Sequence, residues 1–252
     1  MKRYLLLLVL VCGFLTQASA QKEVLAQNPA KDSIPQTFGP NLKYYAHFLA
    51  GYGFMAGPAE GKGSRIRYGV SHEWHIGARF KYKVGEVYSL GFDAYINPQT
   101  FYLKQQEGKN LPNPLLHDME KFKFTNVGLG FFNRFNYDKR GNYMGNFIDL
   151  GVYGNWMPVR NFIYQTDDLP PAVGYVTGAN AIKVRQTGLK YITKLNYGAT
   201  VRAGFNRYVF YATYRLSDLF DADYAVSDGA GNIYTFAEMP RATIGFQLSM
   251  HK

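Results

Sequence analysis

Residues 65–84, RIRYGVSHEWHIGARFKYKV, alternate between apolar and polar side chains along their whole length. The even positions are apolar or aromatic apart from one histidine, whereas the odd positions carry Arg, Lys, Glu, Ser, His or Gly. A period of two places these two sets on opposite faces of a β-strand. The run is much longer than the roughly five or six residues of an average strand. It is typical of a tilted strand in a membrane β-barrel.

Seven further segments alternate in the same way. They lie at residues 42–54, 88–96, 127–137, 148–156, 195–205, 208–216 and 242–250. Large aromatic residues occupy the apolar face, and glycine or charged residues occupy the other. The alternative is a soluble sandwich or lipocalin-like barrel, which the density of charge on one face disfavours because a dry core does not accommodate it. The sequence therefore predicts an all-β protein, an eight-stranded antiparallel up-and-down transmembrane β-barrel.

The connections between these segments test the strand assignment. Between the sixth and seventh segments the apolar face changes from odd to even numbers, which requires an even loop such as the two residues 206–207. The odd loop 84–86 would place Lys83 opposite Val87 and Arg79 opposite Gly91, with Asp93 diagonal to Arg79. We therefore predict an Arg79–Asp93 ion pair inside the barrel. The other connections alternate between short and long, as periplasmic turns and external loops do.

The N-terminal residues have the features of an export signal. Lys2 and Arg3 precede a short apolar run that ends in Ala18-Ser19-Ala20, so residues 1–20 are predicted to be a cleaved signal peptide. Residues 21–41 are polar and proline-containing, and we expect a mobile periplasmic lead-in before a barrel at 42–252. Cleavage would remove the one cysteine, Cys12, and lower the formal net charge from +10 to +8. In an exported chain we assign this charge to the barrel interior or to anionic lipid, and not to nucleic acid.

Three phrases carry a resemblance to a known group. They are Phe80-Lys81-Tyr82-Lys83 with the following Gly85 hairpin, residues 214–220 (YRLSDLF), and residues 239–248 (MPRATIGFQL). In these the chain resembles the small outer-membrane β-barrel proteins of the Bacteroidota, the broad PorT-like group. The resemblance implies an outer-membrane location and, through PorT itself, an association with type IX secretion as one role open to the chain.

The polar face predicts an ion-pair network in the lumen. Its members are Arg67, Glu73, Arg79, Asp93, Arg134, Asp149, Lys194, Arg202 and Arg215. An eight-stranded barrel is only wide enough for its side chains to fill, and charges removed from water need partners. We therefore favour a closed, ion-paired interior over the alternative, a narrow path for anions.

Two other groups of residues are candidates for chemistry or contacts. Ser71, Glu73 and His75 share the inner face, but a lipid-modifying hydrolase would need its nucleophile on the outside, where acyl chains lie. The last long loop carries Asp218, Phe220, Asp221, Asp223 and Tyr224, a candidate external contact surface. Its spacing does not fit the EF-hand pattern, and we expect no metal and no cofactor.

These observations predict a non-enzymatic outer-membrane barrel. It would be a structural or accessory component of an envelope or secretion assembly, in contact with outer-membrane lipid and another envelope protein. A narrow anion-preferring channel is the alternative, and a lipid-active barrel enzyme is a third possibility.

Overall fold

The computed structural model describes residues 36–137, 144–167, 181–227 and 231–250. These residues form strands and loops, with no helix that could cross a membrane. The predicted signal peptide, most of the predicted lead-in, and residues 138–143 between the fourth and fifth alternating segments lie outside the described residues. The strands are β1 (Tyr44–Ala56), β2 (His72–Lys83), β3 (Tyr88–Tyr102), β4 (Met119–Asn136), β5 (Asn146–Asp167), β6 (Ala181–Thr187), β7 (Leu195–Phe205), β8 (Tyr208–Arg215), β9 (Ala225–Ser227), β10 (Ile233–Thr235) and β11 (Ala242–Met250).

Eight of these strands close into an antiparallel barrel. The order around the ring is β1, β2, β3, β4, β5, β7, β8 and β11, and β11 pairs back with β1. Closure leaves no strand edge in the ring unpaired, which is how a barrel satisfies its backbone groups. The prediction of an all-β, eight-stranded antiparallel barrel is confirmed.

The sheet continues beyond the ring at the end of the long connections. Residues 161–167 of β5 pair with β6 on one side, and residues 159–165 pair with β4 on the other. Between Trp156 and Val159, two residues of β5 lie opposite the single residue Asn126 of β4. This arrangement is a β-bulge, and Pro158 suits it because proline has no N–H for the ladder. We call the part of β4, β5 and β6 beyond the bulge the sheet extension.

The second strand is shorter than its alternation predicted. β2 begins at His72, and residues 65–71 form an isolated bridge and a turn, with Gly69 at a φ of 85°. That left-handed conformation ends an extended strand and favours glycine. Ile66, predicted to face outward, is instead buried and bridges to Leu103.

Two predicted turns can be compared with the structure. The loop 206–207 is confirmed, with Phe205 opposite Tyr208 and Asn206 at a φ of 57°. The register around 84–86 is wrong by two residues, because Lys83 pairs with Ser89 and Arg79 lies directly opposite Asp93. A shift of two keeps every side chain on its predicted face, so the alternation could not reveal the error.

Glycine and aromatic residues lie opposite each other on the inner face. The directly paired residues are Gly91 and Phe132, Gly128 and Tyr95, Gly198 and Tyr153, Gly204 and Phe147, and Gly245 and Tyr211. A β-carbon on any of these glycines would overlap the side chain of its partner. Each glycine therefore provides the space in which a ring lies across the neighbouring strand.

We expect Gly128→Ala to lower the free energy of unfolding by about 1–3 kcal/mol, because the new methyl group would meet Tyr95 and Asn155. Gly154→Ala is the matched control, since Gly154 lies on the outer face, where an added methyl group would have no neighbouring atom within 4 Å. It should cost nothing or stabilise slightly. Urea unfolding of both variants measures the difference, and equal effects would contradict the packing role of the inner glycines.

Candidate functional site in the barrel interior

A chain of five alternating charges crosses the interior. Asp93 accepts from Arg79 Nε at 2.7 Å and from Arg202 Nη1 at 2.6 Å. Asp149 accepts from Arg134 Nε at 2.7 Å and Nη2 at 2.9 Å, and its Oδ2 lies 3.8 Å from Arg202 Nε. All five side chains are buried. Because each buried charge has a partner of opposite sign, the chain avoids the large cost of an isolated buried ion.

The chain also connects strands that are not neighbours. Asp93 is on β3 and Arg202 is on β7, and β4 and β5 separate these strands in the ring. The 2.6 Å contact between the two side chains therefore runs across the interior. A bond of this kind closes the lumen at that level.

Phe132 lies at the centre of the charge chain. The guanidinium carbons of Arg202, Arg134 and Arg79 lie 4.8, 5.3 and 5.5 Å from its ring centroid. Arg134 also lies 3.4 Å from the ring centroid of Phe147. Three arginines share two aspartates here, and the negative ring faces supply further attraction for the cations.

A second polar layer lies toward the long connections. Glu73 accepts from Tyr211 Oη at 2.9 Å and from Gln99 Nε2 at 2.8 Å. Tyr211 is on β8 and Glu73 is on β2, so this hydrogen bond crosses the interior as well. Tyr95 Oη donates to Asn155 at 2.8 Å. Tyr211 and Gln99 are neutral donors to the Glu73 carboxyl group, and no cation among the described residues forms an ion pair with it.

Little space remains between the two layers. An interior cavity of about 30 Å³ is lined by polar side chains that include His75, Tyr153, Thr200 and Arg202. That volume holds one or two water molecules. The described interior is therefore packed with side chains, in agreement with the size limit of an eight-stranded ring.

An apolar cluster closes the interior at the end of the long connections. We call it the apolar cap; its buried members are Met55, Ile66, Phe101, Leu103, Phe122, Phe124, Met157, Phe162, Leu189, Ile192, Leu219, Phe220 and Met239. Tyr191 packs against the cap and stacks on Phe236 at 4.3 Å. Burial, with a smaller effect of nearby Tyr224, raises the pKa of the Tyr191 phenol above its usual value, so the cap carries no phenolate at neutral pH.

Two buried ion pairs attach the long connections to this end of the barrel. Lys109 Nζ lies 2.6 Å from Glu120 Oε2, which also accepts from Gln105 Nε2 at 2.9 Å. Arg215 Nη1 lies 2.6 Å from Glu238 Oε1, and Arg215 Nη2 donates to the Met239 carbonyl. Each pair holds a loop against a strand at a point that solvent does not reach.

The structure distributes the predicted network residues among several sites. Arg79, Asp93, Arg134, Asp149 and Arg202 form one chain, whereas Glu73 and Arg215 have the separate partners described above. Arg67 and Lys194, predicted to face the lumen, are exposed. Both precede the first residue of a strand, β2 for Arg67 and β7 for Lys194, so alternation no longer fixes the side to which they point.

The predicted contact loop is divided in the same way. Phe220 is buried in the apolar cap and stacks on Phe236 at 4.8 Å, so it is not part of an external surface. Asp218 pairs with Arg241. Asp221, Asp223 and Tyr224 remain exposed, and the Asp223 N–H donates to Asp221 Oδ1 at 3.2 Å.

The candidate catalytic residues have structural partners. Ser71 Oγ donates to the Arg67 carbonyl and accepts from the Tyr102 N–H, both at 3.0 Å. Glu73 accepts from Tyr211 and Gln99, and His75 packs against Tyr95 at 4.1 Å between ring centroids. Among the described residues, no three His, Cys, Asp or Glu side chains are grouped so that they could hold a metal ion.

The alternating pattern does not identify several interior residues. Phe132, Phe147 and Tyr211 interrupt the polar face, and Glu120 and Glu238 lie at the ends of long loops. A glycine lies opposite each of the three rings and has no β-carbon where the ring lies. These glycines are the sequence signal that the rings point inward. The partners of the two glutamates depend on loop conformation, for which alternation gives no signal.

No protein-family model matches this chain, and no curated protein matches it at a significant level.

We expect Asp93→Asn to destabilise the barrel by about 3–5 kcal/mol, because it leaves two buried arginines without their shared carboxylate. Arg79→Gln should cost less, since Asp93 keeps Arg202, and the double variant should cost less than the sum of the two. Urea unfolding of the four proteins measures the coupling.

The exposed pair Lys83–Glu86, with a 2.7 Å contact, is the control for this cycle. Its coupling should be at most ~1 kcal/mol, because water screens surface charges. Additive effects of the Asp93 and Arg79 substitutions would show that the interior is hydrated and the ion pair is weak.

Proposed function

We propose that this protein is a closed, non-enzymatic β-barrel of the outer membrane that serves as a structural or accessory component of an envelope or secretion assembly. The observation that carries the proposal is a belt of exposed apolar side chains around all eight strands of the ring. Exposed apolar patches on soluble monomers rarely exceed a few hundred Å². A continuous belt of this kind is stable when it faces lipid.

The height of the belt suits a bilayer. On β1 the exposed rings of Tyr44 and Phe54 are ten residues apart, which corresponds to roughly 33 Å along a strand. With a strand tilt of ~40°, the height along the barrel axis is about 25 Å. This equals the height of the apolar band of outer-membrane barrels.

The composition of the belt changes along the strands. Several aliphatic residues lie in the middle, together with the aromatic Phe48 of β1: Ile76, Ile96, Val127, Leu129, Val152 and Val201. Aromatic residues lie toward the short turns: Tyr44, Phe80, Tyr82, Phe92, Phe131, Phe135, Phe205, Tyr208 and Phe210. Others lie toward the long connections: Phe54, Trp74, Trp156, Tyr197 and Tyr214. The aromatic residues at both ends of the belt match the two interfaces of a membrane.

The filled interior supports a structural role over transport. The charge chain, the Glu73 layer and the apolar cap occupy successive levels of the described interior, and the cavity between the two polar layers is only about 30 Å³. An anion would have to displace paired side chains at each level to pass. The resemblance to the PorT-like group and the predicted signal peptide add an outer-membrane location and an envelope partner to the proposal, with the long connections outside the cell.

Tryptophan fluorescence tests the membrane location. The two tryptophans, Trp74 and Trp156, both lie on the exposed belt. In lipid vesicles we expect blue-shifted emission that brominated acyl chains quench and aqueous iodide does not. Trp74→Phe and Trp156→Phe each leave one reporter, so the two sides of the barrel can be compared. Strong quenching by iodide in vesicles would contradict insertion.

Planar-bilayer recording tests the closed barrel. We expect no steady conductance from the purified protein, because the crossing contacts of Arg202 and Tyr211 fill the lumen. A reproducible anion current would contradict this proposal and favour the channel alternative.

Photo-crosslinking in cells tests the accessory role. A photoreactive residue at Tyr224, on the exposed loop, should crosslink to another envelope protein, whereas one at Tyr197, on the belt, should contact lipid. An absence of protein crosslinks from Tyr224 and from neighbouring Asp223 would contradict a partner at this loop.

A further inference from the structure

The outer face of the sheet extension carries a group of cations. β4 pairs with β3 in one unbroken register, so Lys121 and Lys123 lie on the same face as the belt residue Val127. The alternate residues Phe122 and Phe124 point inward and are completely buried in the apolar cap. The two lysines therefore stand directly above the apolar belt on the outside of β4.

β6 contributes two more cations to the same face. Lys121 is opposite Ile163 of β5, and Ile163 is opposite Arg185 of β6. Lys183 follows two residues away and is opposite Gln165. Directly paired residues share a face, and two strand spacings place Lys121 and Arg185 roughly 10 Å apart. We call Lys121, Lys123, Lys183 and Arg185 the basic face.

The basic face has little compensating negative charge. No carboxylate of the described residues forms an ion pair with any of its four members. Lys121 lies over the Tyr102 ring at 4.9 Å, which orients it along the outer surface. Two acids lie at the tip of this face: Asp167, which accepts from Gln165 Nε2 at 2.8 Å, and Asp118, which accepts from the Asp167 N–H at 2.8 Å. The face thus carries an excess of positive charge just beyond the last belt residues.

We propose that the basic face binds the phosphate groups of anionic lipid in the leaflet at the long-connection end, which is phosphorylated lipid A in the orientation proposed above. This inference rests on the proposed membrane location. A phosphate between Lys121 and Arg185 would lie above Ile163, with acyl chains along the belt below. Cations next to an apolar lipid-facing surface are the arrangement that recognises lipid headgroups.

The position of the charges favours lipid over a second copy of the chain. β6 is the outermost strand of the described extension, so it could pair edge to edge with another β6. Such a pair would bring Lys183 and Arg185 of both copies onto one face. Like charges on neighbouring strands repel, which disfavours that dimer. The continuity of the basic face with the belt instead places it where headgroup phosphates lie.

Native mass spectrometry of the detergent-solubilised protein tests the inference. The probes are bisphosphorylated lipid A and the same lipid with both phosphates removed. We expect wild type to prefer the phosphorylated form, and Lys121→Gln/Arg185→Gln to lower its affinity about 25-fold, at about fivefold for each cation. Lys43→Gln/Arg207→Gln removes the same charge at the short-turn end and should leave the affinity unchanged.

The possible results distinguish between failure of the lipid-binding inference, failure of the membrane proposal and a reversed orientation. Equal binding of the two lipids, or unchanged binding after Lys121→Gln/Arg185→Gln, would overturn the inference. Self-association of that variant with unchanged lipid binding would also overturn it, because the cations would then only protect the β6 edge. Trp quenching by brominated lipid is measured on the same protein preparations after reconstitution into vesicles, and its absence in wild type would show that the membrane proposal itself has failed. Ala222→Cys and Arg207→Cys, labelled on intact cells with an impermeant maleimide, report the orientation separately.

Discussion

The narrow diameter of an eight-stranded ring constrains every inward-facing residue of this protein. Side chains from opposite strands meet across the interior, so each one must fit sterically and must match the charge or hydrogen-bonding groups of the residue it meets. Glycines opposite Phe132 and Tyr153 provide room for rings, and carboxylates opposite arginines neutralise charge. The bond from Arg202 to Asp93 and the bond from Tyr211 to Glu73 follow from the same limit, because side chains from those strands are long enough to meet across the interior.

The sequence predicted the outer face of the barrel well and the interior only in part. Alternation identifies a face without reference to any partner, and for this reason Trp74, Leu129 and Val201 were placed correctly. The partner of an inward residue depends on register, and a slip of two residues changes the partner while it keeps the face. Arg79 was therefore predicted to lie diagonal to Asp93, whereas it lies directly opposite.

Beyond the strand ends the alternation gives no direction at all. Arg67 and Lys194 were assigned to the interior by continuing the count past the first residue of a strand, where the backbone turns. Phe220 was assigned to an external surface because acids surround it in the sequence, but its ring completes the apolar cap. In each case the side chain follows a tertiary contact that no local pattern contains.

The bulge at Met157 and Pro158 determines which chemistry the sheet extension shows to its surroundings. Before it, the even-numbered residues of β5 lie on the outer face of the sheet, and after it the odd-numbered residues do, with Val159 exposed and Asn161 and Ile163 buried. Without the extra residue, Phe162 and Tyr164 would turn toward the outside, and the apolar cap would lose the Phe162 ring and the ring of Tyr164 that packs against it. This single extra residue thus keeps the apolar cap and the basic face on opposite sides of the sheet. An in-frame deletion of its codon would exchange the two sides. Substitutions change one contact, whereas a one-residue deletion at this point would invert an entire surface.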